Sequence, residues 1–473
     1  MTLHIPFDNS YARLPDGFFS LQTPTPVRQP SLVAYNAALG RDLGVTFSGT
    51  PADHAAVFAG NALPDGATPL AQLYAGHQFG QFNPQLGDGR AVLLGEVIDT
   101  AGQRRDIQLK GSGPTPYARR GDGRAWLGPV LREYVVSEAM HALGIPTTRA
   151  LAATRTGETV YREGPMPGAV LTRVAASHIR VGTFQVFAAR QHIDHLRALF
   201  DYTVARHDPD ATTPEAFLHA VIARQTDLVA RWMSVGFIHG VMNTDNCAIS
   251  GETIDYGPCA FVDDYHPETV FSSIDRMGRY AYGAQADIII WNMAQLATSL
   301  LALMPDPQAA LPGFQSAVEG AAQTMRAAWL RHMAPKIGLS RPDPSDAPLV
   351  ADLLQIMADG GSDFTNTFAA LTTGDARDEI TDQDAWQAWS TRWRDRLASE
   401  HDAPETMARA NPILIPRNHQ IEAMIGAAVA GDDAPFHRLM AALSTPFTAD
   451  PETSDLRLPP TAGQRVHATF CGT

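Results

Sequence analysis

The segment from His239 to Pro258 constrains this chain more than any other, because it brings acidic and amide side chains close together. It reads His-Gly-Val-Met-Asn-Thr-Asp-Asn-Cys and, shortly afterwards, Thr-Ile-Asp-Tyr-Gly-Pro. Asp245 and Asn246 are adjacent, and Asp255 is expected at the end of a short apolar strand. Two carboxylates and an amide separated by one hairpin suit Mg²⁺, which prefers oxygen ligands. The alternative is a surface loop, since Asn and Asp also favour turns.

A lysine upstream of this segment is the second informative residue. The chain contains only two lysines, Lys110 and Lys336, and its other cationic side chains are arginines. A chain that uses arginine this consistently can retain a lysine where a compact ammonium is needed, although chance retention explains it equally simply. Alternating apolar residues predict a hairpin of strands 91–98 and 103–109, and Lys110 ends its second strand.

The order of elements along the chain resembles that of a protein kinase. A glycine-rich turn precedes the strand that leads to Lys110, and the next predicted helix, 129–143, carries Glu133. In kinases a strand lysine pairs with a helix glutamate, and the metal-binding Asp-Phe-Gly corresponds to Asp-Tyr-Gly here. Gly257 is expected to take backbone angles that a Cβ would resist. A kinase separates its catalytic Asp and Asn by several residues, so the adjacent Asp245 and Asn246 disfavour γ-phosphoryl transfer.

Arginines follow Lys110 closely. The loop 111–124 is rich in glycine and arginine but lacks the G-x-x-x-x-G-K-[ST] pattern of a P-loop. It is either an anion-binding nest beside Arg119, Arg120 and Arg124 or a solvated loop. The spacing of Arg173 and Arg180 favours both guanidinium groups entering one cleft.

The charge balance and the cysteine count limit the class of protein. A net charge of −14 disfavours broad nucleic-acid binding, which needs a basic surface. The apolar run 288–304 is interrupted by polar residues at helical spacing, which predicts an amphipathic core helix and no membrane span. The start of the sequence lacks the pattern of a secretory signal. Three cysteines make a disulfide framework improbable, so a cytoplasmic location is expected.

Composition shifts predict three regions. Residues 1–70 form an arm packed on the body, with one helix over 30–43. Residues 71–185 are rich in strands, including 148–153, 160–162 and 170–174. Residues 186–473 are mostly helical, with a helix over 214–235 capped by Thr213. Trp386, Trp389 and Trp393 recur at helical spacing, which indicates core packing rather than a stacking platform for bases.

Four runs identify a family. They are Gln72-Leu-Tyr-Ala-Gly-His-Gln-Phe-Gly80, Leu109-Lys-Gly-Ser-Gly-Pro-Thr-Pro-Tyr117, Ser137-Glu-Ala-Met-His-Ala-Leu-Gly-Ile-Pro-Thr-Thr-Arg149 and the segment 239–258. Together they resemble the selenoprotein O (SelO) family, and the likeness covers nearly the whole chain. The resemblance implies an α+β, two-lobed, protein-kinase-like fold, with a β-rich N-lobe, a helical C-lobe and extensions at both ends.

The resemblance also implies an activity and its site. Family members bind ATP in an inverted orientation and transfer AMP to the Ser, Thr or Tyr hydroxyls of proteins, with Mg²⁺ or Mn²⁺. By this resemblance Lys110 contacts phosphates and is supported by Glu133, Asp245 accepts the proton, and Asn246 and Asp255 bind the metal. The nucleotide contacts implied are Gly87, Gly89, Arg90, Lys110, Asp122, Gly123, Arg173, Arg180 and Asp255.

Alternatives remain from the residues alone. One alternative is a catalytically silent regulator, in which the same cleft holds ATP only to stabilise a shape that binds a partner. A γ-phosphoryl kinase is the third possibility.

Many family members carry a cysteine or selenocysteine near the C-terminus that is linked to redox control. The hypothesis here is a disulfide between Cys471 and Cys259; the simpler interpretation is that Cys247 and Cys259 pack as small hydrophobic residues.

Overall fold

A computed structural model describes residues 3–470 and shows a β-sheet with many helices. The strands are β1 (Leu3–His4), β2 (Phe19–Leu21), β3 (Ser31–Tyr35), β4 (Thr46–Phe47), β5 (Leu70–Gln72), β6 (Gly76–Gln78), β7 (Gln81–Asn83), β8 (Ala91–Ile98), β9 (Arg104–Lys110), β10 (Ala125–Trp126), β11 (Arg149–Tyr161), β12 (Pro165–Ala175), β13 (Phe237–Ile238) and β14 (Ala260–Phe261). The α-helices are α1 (Ala37–Asp42), α2 (Pro51–Phe58), α3 (Leu127–Ala142), α4 (Val181–Ala189), α5 (Ile193–His207), α6 (Pro214–Ser234), α7 (Gln285–Leu301), α8 (Pro307–Met333), α9 (Ala347–Gly360), α10 (Phe364–Thr372), α11 (Gln383–Leu397), α12 (Ala403–Ala410), α13 (Asn418–Val429) and α14 (Ala434–Leu443). A short 3₁₀ helix covers Thr244–Asn246.

The large sheet is antiparallel and places the cationic residues on one face. Its order is β2-β5-β8-β9-β12-β11-β3, with β10 paired to β12. In the β9–β12 register Lys110 lies opposite Leu171, and Gln108 lies opposite Arg173. Because side chains alternate between the two faces of a strand, Gln108, Lys110 and Arg173 project from the same face. Helix α3, which carries Glu133, packs against β11 and β12.

The first seventy residues contribute to both edges of this sheet. Strand β2 pairs with β5, and β3 pairs with β11. The helix predicted over 30–43 is therefore wrong: residues Ser31–Tyr35 are extended, and only Ala37–Asp42 is helical, capped by Asn36. Pairing with β11 outweighs the local helical pattern, because an edge strand satisfies its backbone groups on a neighbour that is distant in sequence.

Other local predictions agree more closely with the structure. The hairpin β8–β9 and the helices α3 and α6 lie within two residues of their predicted bounds, and Thr213 caps α6 by accepting from Ala216 N. Trp386, Trp389 and Trp393 are buried and stack at 5.3 Å between ring centroids, so the prediction of core packing is confirmed.

The structure corrects two strand predictions. Residues 148–153 and 160–162 were expected as separate strands, but β11 runs continuously over both with an irregular register between Arg155 and Thr159. The short apolar strand expected to end at Asp255 does not form in the described structure, where Thr253 makes only an isolated parallel bridge with Thr147. Within the described range, helices lack the combination of length and apolar character that a bilayer crossing requires.

Candidate active site

The twelve residues predicted for the site line one open cleft of about 910 Å³. They are Gly87, Gly89, Arg90, Lys110, Asp122, Gly123, Glu133, Arg173, Arg180, Asp245, Asn246 and Asp255. The sheet contributes Lys110 and Arg173, α3 contributes Glu133, and the segment 239–258 contributes Asp245, Asn246 and Asp255. Residues separated by more than a hundred positions in sequence therefore meet in one place.

An ion network lies at the centre of the cleft. The Nζ atom of Lys110 donates to Glu133 Oε2 at 2.6 Å and to Asp255 Oδ1 at 2.7 Å. The guanidinium of Arg173 lies 2.6 Å from the same Asp255 oxygen and 3.2 Å from Glu133 Oε1. Charge-assisted bonds of this length are the stronger kind, so the lysine is held in one position.

The other carboxylate oxygen of Asp255 is bound by Arg180. Its Nη1 donates to Asp255 Oδ2 at 2.6 Å and also reaches the main-chain oxygen of Asp245. The ring of Tyr74 lies 4.6 Å from the Arg180 guanidinium carbon, a distance suited to a cation–π contact. Arg180 thus links the two acidic residues of segment 239–258 directly.

Asp255 is ionised and strained. Burial alone would raise the pKa of its carboxyl, but Arg173, Lys110 and Arg180 together outweigh burial and hold that pKa well below its usual range. Its backbone has φ +62°, a left-handed conformation that is uncommon for a residue with a Cβ. The expectation that Gly257 would take such angles is wrong, because the left-handed turn occurs at Asp255 itself. Strain of this kind is often stored at functional sites.

Asp245 has a different environment. Its side chain is buried, and Gln78 Nε2 donates to its Oδ2 at 3.1 Å, while its Oδ1 has no hydrogen-bond partner among the described residues. Burial raises the pKa of the Asp245 carboxyl to about 6, which Arg180 only partly offsets. A carboxylate with one unsatisfied oxygen and a raised pKa suits a proton acceptor.

The donor set fits a hard divalent cation. The side-chain amide of Asn246 donates to Val241 O at 2.9 Å, which leaves its carbonyl oxygen available, and Asn246 and Asp255 both line the cleft. No group of three or more His, Cys, Asp or Glu side chains that could hold a metal ion occurs between residues 3 and 470. Two protein oxygens nevertheless suffice for Mg²⁺ or Mn²⁺, because such ions take their remaining ligands from phosphates and water.

Two glycines in the cleft wall have no room for a side chain. Gly87 has φ +145°, and a Cβ there would lie 2.5 Å from the ring of Tyr117. Gly123 has φ +68°, and a Cβ there would lie 2.0 Å from Pro114 N. Both positions therefore require glycine, and glycine-rich backbone can bring peptide N–H groups close to anionic ligands.

The remaining predicted residues lie nearer the rim. Asp122 binds Arg162 through two hydrogen bonds of 2.9 and 3.0 Å, so its carboxylate is already occupied. The Nη1 atom of Arg90 is buried and has no hydrogen-bond partner in residues 3–470. Arg124 also lines the cleft but donates to the main chain of Thr25.

Sequence reasoning missed several polar residues in the site. Asp88, between the two predicted glycines, is buried and accepts from Gln72 N and from Gln108 Nε2 at 3.0 Å. Gln108 also accepts from Arg173 at 2.6 Å. Asp88 therefore holds the Gln108 side chain, and Gln108 in turn orients the guanidinium of Arg173. The sequence carried no distinct signal for Asp88, since Asp between glycines is also ordinary turn chemistry. Gln78 was missed as well.

The cysteines do not favour redox chemistry in the described range. Cys247 and Cys259 are free and buried, and burial raises the pKa of each thiol to about 12. Such thiols react slowly, because the thiolate is the nucleophile. Cys471 lies outside the described residues, so its disulfide with Cys259 stays a hypothesis.

Comparison with known proteins assigns the chain that forms this cleft to a family. The sequence model described as "Protein adenylyltransferase SelO" matches residues 1–444. Proteins named "Protein nucleotidyltransferase YdiU" from Ruegeria sp. (strain TM1040) and Roseobacter denitrificans are each 63% identical over 473 residues, and the match covers 100% of both chains. A protein of the same name from Rhodopseudomonas palustris (strain BisB5) is 54% identical over 493 residues with the same coverage. With matches of this extent, the chain belongs to the SelO family of protein adenylyltransferases.

Proposed function

We propose that this chain is a protein adenylyltransferase that transfers AMP from ATP to Ser, Thr or Tyr hydroxyls of proteins and releases pyrophosphate. The observation that carries the proposal is the convergence of Lys110, Arg173 and Arg180 on Asp255 in the cleft. Three cations gathered at one carboxylate suit a polyphosphate better than a neutral ligand. The description of the family and the names of the related proteins support the same chemistry.

The reaction needs two things from the protein. The acceptor hydroxyl oxygen forms a bond to the α-phosphorus, the bond to the β-phosphate oxygen breaks, and the departing pyrophosphate takes the electron pair. The carboxylate of Asp245 accepts the hydroxyl proton. Lys110, Arg173 and Arg180 stabilise the negative charge that develops on the pyrophosphate, which is where electrostatic preorganisation contributes most. Asn246 and Asp255 would hold a Mg²⁺ or Mn²⁺ ion, which would supply further neutralisation of the phosphate charge.

Glu133 and Asp255 keep this charge in position before the nucleotide binds. Without them the three cations would repel one another within a few ångströms. Positioning and electrostatics account for most of the rate in phosphoryl-type transfer, so a fixed lysine matters more than a strong base. The nucleotide-contact roles of Gly87, Gly89, Arg90, Asp122 and Gly123 belong to the same proposal, supported by their place on the cleft wall.

The fold, the partners and the location that we propose are those that the family resemblance implies. We expect a two-lobed, kinase-like arrangement divided near residue 185, with the strand-rich part before it, and the sheet and helices described above support this. The protein substrates and ATP are the proposed partners, and nucleic acid is not. A cytoplasmic location is supported by the two buried free thiols.

The direct test uses ATP labelled separately at the α and γ positions. We expect protein-bound label from the α position only, with release of pyrophosphate. The two lysines provide a matched pair of variants: Lys110→Met should reduce transfer about 10²-fold, because it removes one preorganised charge, whereas Lys336→Met, which lies outside the cleft, should leave the rate unchanged.

Two other outcomes would each support an alternative. Label from the γ position together with ADP release would make the protein a kinase and contradict the inverted orientation of ATP. ATP binding without transfer of either label would identify a catalytically silent regulator. The full-length match to nucleotidyltransferases favours neither alternative.

A further inference from the structure

The hairpin formed by β6 and β7 lies directly against the loop that carries Asp245. Main-chain N–H groups of the hairpin donate to side chains of that loop: His77 N to Thr244 Oγ1 at 2.7 Å, and Phe79 N to Asn243 Oδ1 at 3.0 Å. These contacts join residues more than a hundred and sixty positions apart in sequence. The hairpin is therefore attached to the catalytic loop on both sides of Gln78.

Gln78 makes the one side-chain contact that reaches the carboxylate of Asp245 from this hairpin in the described structure. Its Nε2 atom donates to Asp245 Oδ2 at 3.1 Å. The opposite oxygen, Oδ1, is buried and has no hydrogen-bond partner among the described residues. It packs against the backbone of Gly76, where a Cβ would lie 2.9 Å from Oδ1. The orientation of the carboxylate is thus defined by a hydrogen bond at one oxygen and by close packing at the other.

Helix α4 also supports the hairpin, so the contact of Gln78 with Asp245 has a defined direction. The Nε2 atom of Gln185, on α4, lies 2.8 Å from His77 Nδ1, and Gln185 Oε1 accepts from Thr244 Oγ1 at 2.6 Å. Ala75 N, immediately before the hairpin, donates to Gly182 O at 3.0 Å. A donor held by packing and hydrogen bonds on three sides orients its acceptor more narrowly than a mobile surface side chain does.

We propose that Gln78 is a positioning residue for the adenylyl transfer. It binds Oδ2 of Asp245 and so fixes the orientation of the carboxylate that accepts the proton of the acceptor hydroxyl as that hydroxyl attacks the α-phosphorus. The inference rests on the proposed function, since it assigns an orientation to the proton acceptor of that reaction. It adds a role for the Gly76-His-Gln-Phe-Gly80 run, which the nucleotide and metal contacts do not use.

The role is separable from simple anchoring of the hairpin. The main-chain bonds from His77 and Phe79 to the loop are made by N–H groups that a substitution of the Gln78 side chain leaves in place. Gln81 is the β-ladder partner of Gln78 on the other strand of the hairpin and is exposed. It therefore provides a control with the same residue type, the same hairpin and no place in the cleft lining.

The test compares Gln78→Met with Gln81→Met in steady-state transfer of α-labelled AMP to protein. We expect kcat of Gln78→Met to fall about 10–100-fold, the usual effect of removing a group that orients a catalytic ligand, while KM for ATP stays within about twofold. Gln81→Met should match the wild type. In an Asp245→Asn background the Gln78→Met substitution should have no further effect on kcat, because residues that act through one another are not additive.

A second variant guards against loss of folding. Gln78→Glu keeps the size of the side chain but replaces the donor by a carboxylate that repels Asp245, so its kcat should fall at least as far as that of Gln78→Met. Equal kcat for Gln78→Met and Gln81→Met, or an undiminished effect of Gln78→Met in the Asp245→Asn background, would overturn the inference. Absence of α-label transfer by the wild type would instead contradict the proposed function itself.

Discussion

Replacing Asp255 by asparagine is expected to lower AMP transfer by about 10²–10³-fold, the size of effect that follows loss of one preorganised electrostatic group. The variant keeps the shape of the side chain but removes the charge that holds Lys110, Arg173 and Arg180. It also replaces the carboxylate of one of the two proposed metal ligands by a neutral amide. Transfer of α-label from ATP, measured at saturating Mg²⁺, reports this loss.

The same substitution makes a second, opposite prediction for nucleotide binding. In the wild type the carboxylate of Asp255 competes with phosphates for the three cations, whereas in Asp255→Asn those cations have lost their partner. ATP added with a chelator, so that no divalent metal is present, should therefore raise the melting temperature of the variant more than that of the wild type. A purely structural role for Asp255 predicts no such gain.

Asp352→Asn is the matched control for Asp255→Asn. Asp352 forms an exposed ion pair with Arg392 on the helical part of the chain, outside the cleft. Exposed ion pairs of this kind contribute little to the free energy of unfolding, about 0–1 kcal/mol. The control should transfer AMP at the wild-type rate and gain no more from metal-free ATP than the wild type does. An Asp255→Asn variant that behaves like Asp352→Asn would contradict the role given to Asp255.

Lys336 is expected to make the stability of the protein rise with pH above neutrality. Its ammonium is buried, its nearest acceptor is Ala410 O at 3.4 Å, and the ring of Phe368 lies 4.4 Å from Nζ. Among residues 3–470 no carboxylate forms an ion pair with it. Burial lowers the pKa of Lys336 from its usual value to about 7.

The sign of this effect follows from proton binding. Between pH 7 and the ordinary pKa of lysine, the unfolded chain keeps a proton on Lys336 that the folded protein has released. Stability rises with pH wherever the unfolded state binds more protons, by up to about 1.4 kcal/mol per pH unit for one group. Below pH 7 both states are protonated, and the full cost of the buried charge remains.

Lys336→Met should remove this dependence and raise the free energy of unfolding at pH 7. Methionine preserves the unbranched shape without the charge, and the main-chain oxygen at this position still accepts from Asn411. Urea unfolding at pH 7, 8 and 9 measures the difference between variant and wild type, which should shrink as pH rises. Arg341→Met, at an exposed position nearby, should show a constant difference. A difference for Lys336→Met that is also constant would contradict the prediction.

Much of the site could be predicted because its members lie in short, strongly patterned segments. Alternating apolar residues define the hairpin that ends at Lys110, and proline and glycine mark the bounds of the helix that carries Glu133. Asp245, Asn246 and Asp255 belong to one run of twenty residues. Such patterns depend only on neighbouring residues in the sequence, so they can be recognised before the fold is known.

Where sequence reasoning was wrong, the deciding contact was distant. Ser31–Tyr35 was predicted as helix but is an edge strand, because it pairs with β11. Asp255, rather than Gly257, takes the left-handed backbone, and the three cations that bind its carboxylate come from β9, β12 and the start of α4. Local secondary-structure propensity depends only on residues nearby in sequence, so it cannot predict these distant partners.

The amino-acid sequence thus establishes which chemical groups the protein has and the order in which they occur, and that order identifies the family. How these groups face one another follows from the tertiary structure alone. Lys110 meets Asp255 across 145 positions, and Gln78 meets Asp245 across 167. Hydrogen bonds and ion pairs depend on distance in space, and the register of the large sheet and the packing of one hairpin against the loop that carries Asp245 set that distance.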